Sequence, residues 1–571
     1  MPRSRLLLPL LFLVAGFALP ARAEDEVAPE AAEITERGRP LARILDLALV
    51  PPTAPGPDGR ALLLLLDVTP SLQKAEFADA FARAMERQAD AFEGTRIGIA
   101  RVGRPGRPRL RPTADGTRVR QTLREVVAEV DTRFQNVYAD VRRVVPTLAR
   151  EKGRREILLV TYENGDAEDD LEATVRALTR NDVRLSVITR EAFLSDTWWA
   201  IRRPRGPKGT DFTGPEAAFI ELPWGLRYQG LPGNTTVLSG FAMFGLTRLA
   251  AASGGRVYLH YPADAVPHVC IARLRGFCPF CAGDHVPPNE VYEAHRLRVF
   301  SPLVGSRKEV IARAGRDLYC RAVLRAWETA SRSGLVYSRP GLRPTGGGWK
   351  GERFPYRGWT GLGASTAFPR EADHARRLLK SLDLVIRTLE DGIERGEARG
   401  GLAHYRAIAD TTRVLLYVTR MNLTLFQAYC REVGPRETTT LGRDVSPPEV
   451  PLHPDESRFL YIGYASMSLC HGVAPFRNLR LPGGARTQQA LDSLETVYAP
   501  FARRYAHTPY LQAVRRSGLA RFRLVRGRGY VPPGRRIPPT ETEEQVTLPA
   551  RPTRPGSGAG SGGAGTPTSG G

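Results

Sequence analysis

Residues 61–71, ALLLLLDVTPS, decide the fold of this chain. Apolar residues run directly into a polar loop, and a run this short is typical of a strand buried on both faces of a parallel α/β sheet. Asp67, Thr69 and Ser71 alternate after the run, so that their side chains can converge on one point. Open α/β sheets place their ligand sites at the C-terminal ends of such strands. The stretch therefore predicts a central strand with a polar site at its end.

Helical and strand periodicities alternate along the chain after this strand. We expect helices at residues 76–92, 137–148, from 171 and at 244–252, and strands at 96–102, 156–160, 183–188 and from 256. Such alternation predicts a doubly wound, mostly parallel sheet joined by right-handed crossovers. The predicted fold class is α/β, with a second, mainly α-helical domain towards the C-terminus.

The polar loop and the order of the elements together resemble a known family. An Asp-x-Thr-x-Ser loop after a buried strand is similar to the metal-ion-dependent adhesion loop of von Willebrand factor type A domains. The resemblance is to the exported bacterial type; it covers residues 61–261, with an insertion at 190–240. It implies a domain that recognises a protein or polymer partner.

The resemblance also implies a bound Mg²⁺ or another divalent cation. In that arrangement Asp67 orients the site, and Thr69 and Ser71 bind the ion directly. Glu163 or Asp166 completes the shell of oxygen ligands, which Mg²⁺ requires in near-octahedral geometry. An open coordination position would then take an acidic group from the partner.

Two other loops differ from the family pattern. Gln135 stands where the family has a threonine, and its longer side chain would crowd the pocket. The third loop of the family usually reads Thr-Asp-Gly, whereas residues 161–166 of this chain read TYENGD. These departures favour an alternative, a degenerate site whose polar residues cap helices and hold no ion.

The first 23 residues have the layout of a cleaved secretory signal, with a basic start, an apolar stretch and an Ala-x-Ala end. Cleavage is expected between Ala23 and Glu24. A retained membrane anchor is the competing interpretation, but Pro9 interrupts the apolar run, which is short for a bilayer span. We expect an exported protein (periplasm, cell surface or extracellular) without a transmembrane segment after cleavage, and a linker at residues 24–60.

The formal charge of the chain is +22, from 82 lysines and arginines against 60 acidic residues. Such a surplus attracts polyanions through long-range steering and counterion release. For an exported protein, an acidic polymer is a more suitable partner than nucleic acid. Arginine is spread over every segment, however, so a GC-rich genome is an alternative explanation that requires no partner.

Thiols and an imidazole crowd together after the type A-like region. Cys270, Cys278, Cys281 and His285 have a spacing suited to tetrahedral Zn²⁺. Disulfides are the alternative in an oxidising compartment, since the chain has six cysteines, an even number. A thioredoxin-like redox pair is a third interpretation, which the prolines at 287 and 288 oppose because that motif needs a helix after its cysteines.

Composition and periodicity divide the remaining chain. We expect a cysteine-containing connector with a helix at residues 262–345, a loop at 346–370, a helical domain at 371–528 and a disordered tail at 529–571. Within the helical domain, two amphipathic stretches separated by Gly400 and Gly401 predict an antiparallel hairpin, and a third helix is expected at 488–505. The tail is rich in Pro, Gly, Ser and Thr and cannot bury a core.

These features favour an exported, non-enzymatic binding or adhesion protein. The sequence contains no His-Glu-x-x-His, phosphate-binding glycine loop or Gly-x-Ser-x-Gly motif. The alternative is an envelope scaffold or assembly protein with an inactive metal site, whose helical domain docks partners. A zinc- or thiol-dependent protein that uses Cys278 and Cys281 is a third interpretation.

Overall fold

The computed structural model describes residues 41–49, 59–68, 77–88, 92–103, 108–129, 136–162, 168–195, 237–260, 294–333, 358–359, 363–436, 456–469 and 472–530. The first half contains α1 (Leu41–Leu49), β1 (Arg60–Leu66), α2 (Phe77–Arg87), β2 (Thr95–Arg101), β3 (Leu110–Thr113), α3 (Gly116–Ala128), α4 (Val137–Ala149), β4 (Arg154–Val160), α5 (Glu168–Arg180), β5 (Val183–Thr189), β6 (Glu191–Ser195), β7 (Val237–Ala242), α6 (Phe244–Ala252) and β8 (Val257–Leu259).

The main sheet within these residues has the strand order β3-β2-β1-β4-β5-β8. Neighbouring strands run parallel, except that β3 pairs antiparallel with β2. β1 lies inside the sheet with every residue buried, as its apolar run predicts. This mixed, mostly parallel sheet with flanking helices confirms the α/β fold class.

Alternating residues of β1 supply two apolar cores, one on each face of the sheet. Leu63 and Leu65 pack with α4, α5 and α6, on what we call the α4 face. Leu62 and Leu64 pack with α1, α2 and α3, on the α1 face. Because both faces are covered by helices, the strand can be apolar throughout.

Helix α1 corrects the linker predicted at residues 24–60, since residues 41–49 are part of the folded core. Leu41, Ile44, Leu45, Ala48 and Leu49 are buried, and their spacing is that of one helical face. Composition hid this helix, because the proline-rich stretch that follows it dominates the segment.

The predicted insertion at 190–240 begins and ends in a two-stranded antiparallel sheet, β6 with β7. Glu191 is buried there, and its carboxylate accepts a hydrogen bond from the amide of Gly240 at 3.0 Å. The rest of the insertion, residues 196–236, lies outside the described ranges.

The second half contains α7 (Ala294–Arg298), α8 (Arg307–Ala314), α9 (Leu318–Arg332), β9 (Gly358–Trp359), α10 (Gly363–Arg399), α11 (Ala403–Ala428, continued by a π-helical turn at Tyr429–Val433), β10 (Glu456–Ser468), a 3₁₀ turn (Ala474–Asn478), α12 (Gly484–Arg504), α13 (Pro509–Arg516) and β11 (Gly518–Tyr530). The mainly helical character of this part is confirmed, and α10 and α11 meet at Gly400, whose φ of +82° turns the chain. Residues from these helices form one shared apolar core.

Three boundaries in this half differ from expectation. Helix α10 begins at Gly363, inside the predicted loop at 346–370. Strands β10 and β11 form a long antiparallel pair inside the predicted helical domain. The connector, in which one helix was expected, contains α7, α8 and α9. Gly315 caps the end of α8, and Asp317 accepts hydrogen bonds from the amides that begin α9. Across the described ranges, no helix combines the length and apolarity needed to span a bilayer.

Candidate functional site

The connections of the sheet create a natural binding position. The chain leaves β1 for β2 on one side, whereas it leaves β4 for β5 on the other side. The carboxyl ends of β1 and β4 therefore flank a topological switch point, where open α/β sheets bind their ligands. We call this place the switch crevice; it is formed by Asp67 and Val68 after β1 and by Thr161 and Tyr162 after β4.

Asp67 is fixed at the switch crevice by the neighbouring strand. Asp67 is only 1% exposed, and its Oδ2 accepts a hydrogen bond from the Thr161 hydroxyl at 2.7 Å. Its amide donates to the carbonyl of Val160 at 2.9 Å. Main chain and side chain thus hold the carboxylate in one orientation.

A tyrosine–histidine pair lies on the other face of the same sheet end. The Tyr162 hydroxyl lies 2.6 Å from Nδ1 of His260, which follows β8, and Arg190 donates to the Tyr162 carbonyl at 2.8 Å. Burial lowers the pKa of His260 to about 4 and raises the pKa of Tyr162. Both side chains are therefore neutral at pH 7. Sequence reasoning missed this pair, although His260 directly follows the predicted last strand.

The end of β2 is tied to the start of α4 by a second buried carboxylate. Asp140 Oδ2 accepts from the amide of Gly103 at 2.6 Å, and its Oδ1 accepts from Arg143 at 2.9 Å. Burial raises the pKa of Asp140, although these hydrogen bonds oppose the change. Asn136 caps the same helix through the amide of Ala139. The loops around the switch crevice are thus braced by polar contacts that the sequence did not predict.

Most of the predicted site residues are not in the described ranges. Asp67 is described; the others are Thr69, Ser71, Glu163 and Asp166 of the cation site, Gln135, the group Cys270, Cys278, Cys281 and His285, and the cleavage residues Ala23 and Glu24. Where side chains are described, no three His, Cys, Asp or Glu residues come together as metal ligands would. The cation site and the zinc or disulfide group therefore stay predictions.

Two of the six cysteines are described in the C-terminal half. Cys320 and Cys430 are buried thiols. Burial is the main cause that raises the pKa of Cys430, and the nearby Glu371 adds to it. A buried thiol with a raised pKa is a poor nucleophile and a poor metal ligand, so Cys430 acts as an apolar core residue.

Comparisons with known proteins identify no family. No family model matches the chain, and no curated protein matches it. Part of the chain is similar to several solved structures. The conserved hypothetical protein BatB from Bacteroides thetaiotaomicron is 15% identical, with 35% of this chain and 89% of that chain covered and a TM-score of 0.22.

Two further structures are similar to this chain at an equally low level. An aerotolerance-related membrane protein from Bacteroides fragilis, carrying multiple mutations to serine, is 12% identical, with 36% and 94% covered and a TM-score of 0.20. An uncharacterized membrane-spanning protein from Vibrio fischeri is 16% identical, with 38% and 96% covered and a TM-score of 0.14. Scores this low assign neither a family nor an activity to this chain.

Proposed function

We propose that this chain is a non-enzymatic binding protein whose α/β domain recognises a protein or polymer partner at the switch crevice. The observation that carries the proposal is the buried Asp67 carboxylate, held at 2.7 Å by Thr161 where the crossovers diverge. Burying a carboxylate costs several kcal/mol of desolvation, which an apolar residue at the same place would avoid. We infer that Asp67 orients the loop that follows β1.

The buried Tyr162–His260 pair beside the crevice favours recognition over acid–base catalysis. A general base works best when its pKa lies near the operating pH. The pKa of His260 is lowered to about 4, and that of its partner Tyr162 is raised. The pair therefore forms a neutral hydrogen bond that positions the sheet end.

A divalent cation is part of the proposal. Thr69 and Ser71 would hold it, with Glu163 or Asp166 completing the shell, as the resemblance to type A domains implies. When bound, the cation would offer an open coordination position to an acidic group of the partner. Asp67 would orient the two hydroxyl residues rather than bind the ion.

The proposal also includes export to the periplasm, cell surface or extracellular space. Its support is the basic, apolar and Ala-x-Ala layout of residues 1–23. The alternative function is an envelope scaffold with an inactive metal site, in which the C-terminal helical part docks partners.

Calorimetric titration with Mn²⁺ tests the cation part of this function on the chain from residue 24 onward. Asp67→Asn keeps the volume of the side chain and an acceptor for Thr161 while it removes the charge. Asp115→Asn is the matched control, because Asp115 is an exposed helix cap and asparagine caps equally well. We expect binding heat in the wild type and in Asp115→Asn, and at least a tenfold weaker affinity in Asp67→Asn.

A hexaglutamate peptide then tests whether the cation recruits an acidic group. We expect it to bind the wild type more tightly in Mn²⁺ than in EDTA, and to lose this difference in Asp67→Asn. If the wild type gives no Mn²⁺ heat, or if Asp67→Asn retains it fully, cation-assisted recognition is wrong and the scaffold alternative takes its place.

A further inference from the structure

Strand β11 forms an edge of the sheet in the second half of the chain. The order of that sheet is β11-β10-β9, so among the described strands β11 has a neighbour on one side only. It pairs with β10 along its whole length, from Gly518 to Tyr530. An edge strand presents a row of backbone N–H and C=O groups to any further strand that runs alongside it. We call this side of β11, opposite to β10, the outer edge.

Two hydrogen bonds show which backbone groups face the outer edge. The amide of Leu469 donates to the carbonyl of Ser517 at 3.1 Å, and these two residues continue the β10–β11 register. In an antiparallel pair, residues that bond to the partner strand alternate with residues whose backbone groups point away from it. The odd-numbered residues of β11 therefore bond to β10, and the even-numbered residues face the outer edge. The carbonyl of Gly518 agrees with this assignment, because it accepts from Nδ2 of Asn422 on α11 at 2.9 Å.

The pairing with β10 sets no acidic residue opposite the basic residues of β11. The strand has no acidic residue of its own, and its basic residues are Arg521, Arg523, Arg526 and Arg528. In the same order, the residues paired with them in β10 are Ala465, Gly463, Leu460 and Arg458. Opposite charges in directly paired positions stabilise neighbouring strands, whereas like charges destabilise them. An acidic strand is therefore the complementary occupant of the outer edge.

The chain supplies an acidic segment shortly after β11. Residues 540–548 read TETEEQVTL, which is the longest stretch after Tyr530 without glycine or proline. Its threonines and valine favour a strand, and prolines bound it on both sides. Its three glutamates are the only acidic residues after Glu495, whereas the same part of the sequence contains twelve arginines. A strand that is added to an existing sheet edge needs no core of its own, so the composition of the tail does not oppose such pairing.

We propose that residues 540–548 bind the outer edge of β11 as an added antiparallel strand. The connection, residues 531–539, is nine residues long, whereas a parallel return needs a crossover of about a dozen residues or more. A strand that begins beside Tyr530 sets residues 541–544 opposite residues 526–529, which include Arg526 and Arg528. The short tether also keeps the segment at a high effective concentration beside the edge. This interaction surface is separate from the switch crevice and does not depend on a cation.

Residue-resolved hydrogen exchange of the chain from residue 24 onward tests the proposal. The odd-numbered amides of β11 are held by β10, whereas the even-numbered amides at 522, 524, 526 and 528 are held only if the outer edge is covered. We expect both sets to exchange slowly in the wild-type chain. An alternation of slow and fast amides along β11 would instead show an edge without an added strand, and it would overturn the proposal.

A double proline variant removes the added strand without changing the charge. Gln545→Pro/Val546→Pro deletes two adjacent backbone donors, one of which faces β11 in either register. Ala559→Pro/Gly560→Pro is the matched control, because it makes the same change later in the tail. We expect the even-numbered amides to exchange about tenfold faster in the first variant and at the wild-type rate in the control. The odd-numbered amides and residues 403–428 of α11 should change by less than about threefold, which separates loss of the strand from general destabilisation.

Charge and concentration dependence complete the test. Glu541→Gln/Glu543→Gln/Glu544→Gln should speed exchange of the even-numbered amides several-fold, and Ser557→Lys/Ser561→Lys/Ser569→Lys, which shifts the net charge equally, should not. Equal effects of the two variants would contradict recognition of the glutamates. Protection that increases with protein concentration would place the segment on a second copy of the chain, and would overturn pairing within one chain.

Discussion

Replacing Glu156 by glutamine should destabilise the α/β domain by about 3 kcal/mol, the lower end of the range for breaking a buried ion pair. Arg60 is 1% exposed; its Nε donates to Glu156 at 2.7 Å and its terminal nitrogen donates to the Leu49 carbonyl at 2.7 Å. The glutamine side chain has nearly the same volume as glutamate and keeps one hydrogen-bond acceptor. The substitution therefore removes mainly the negative charge that balances Arg60. The lower end of the range applies because one hydrogen bond can survive.

Hydrogen exchange locates this effect in a chain with two domains. About 3 kcal/mol corresponds to roughly 100-fold faster exchange of the amides that open only with the domain, and residues 60–66 of β1 report it. Glu151→Gln is the control: Glu151 pairs with Arg96 at 2.7 Å in a partly exposed position, where an ion pair contributes at most about 1 kcal/mol. If Glu156→Gln accelerates exchange no more than Glu151→Gln, the buried pair does not stabilise the domain and the reasoning is wrong.

Two further predictions concern glycine packing and pH. Gly255→Ala should lower the free energy of unfolding in urea by several kcal/mol, because a Cβ would lie 1.8 Å from the Leu185 carbonyl oxygen. Gly94→Ala is the control: its φ is +69° but nothing lies near its Cβ, so it should lower the free energy of unfolding by only about 1 kcal/mol. Equal losses in the two variants would contradict this prediction. Burial lowers the pKa of His404 and of His260 to about 4, so the stability from their neutral forms is complete above pH 6.5 and is lost as the pH falls towards 4. His404→Gln should flatten the fall in thermal midpoint between pH 7 and pH 4.5, and an unchanged slope would assign it to other groups.

The parts of the fold that depend on local pattern were predictable from sequence. The apolar run of β1 and the periodicity of α4 predicted their positions to within two residues. Helix α1 has the same kind of signal, but its nine residues precede a proline-rich stretch and the composition of the whole segment favoured a linker. The periodicity of apolar residues reveals such a short helix, whereas the average composition of the surrounding segment hides it.

The parts of the site that depend on distant pairing were not predictable. Asp67 was identified, but its partner Thr161 lies 94 residues away and was known only as the first residue of an irregular loop. Tyr162 and His260 are 98 residues apart and carry no motif between them. Only the strand order brings these residues together. A single sequence can therefore identify individual residues of the site but not which of them are in contact.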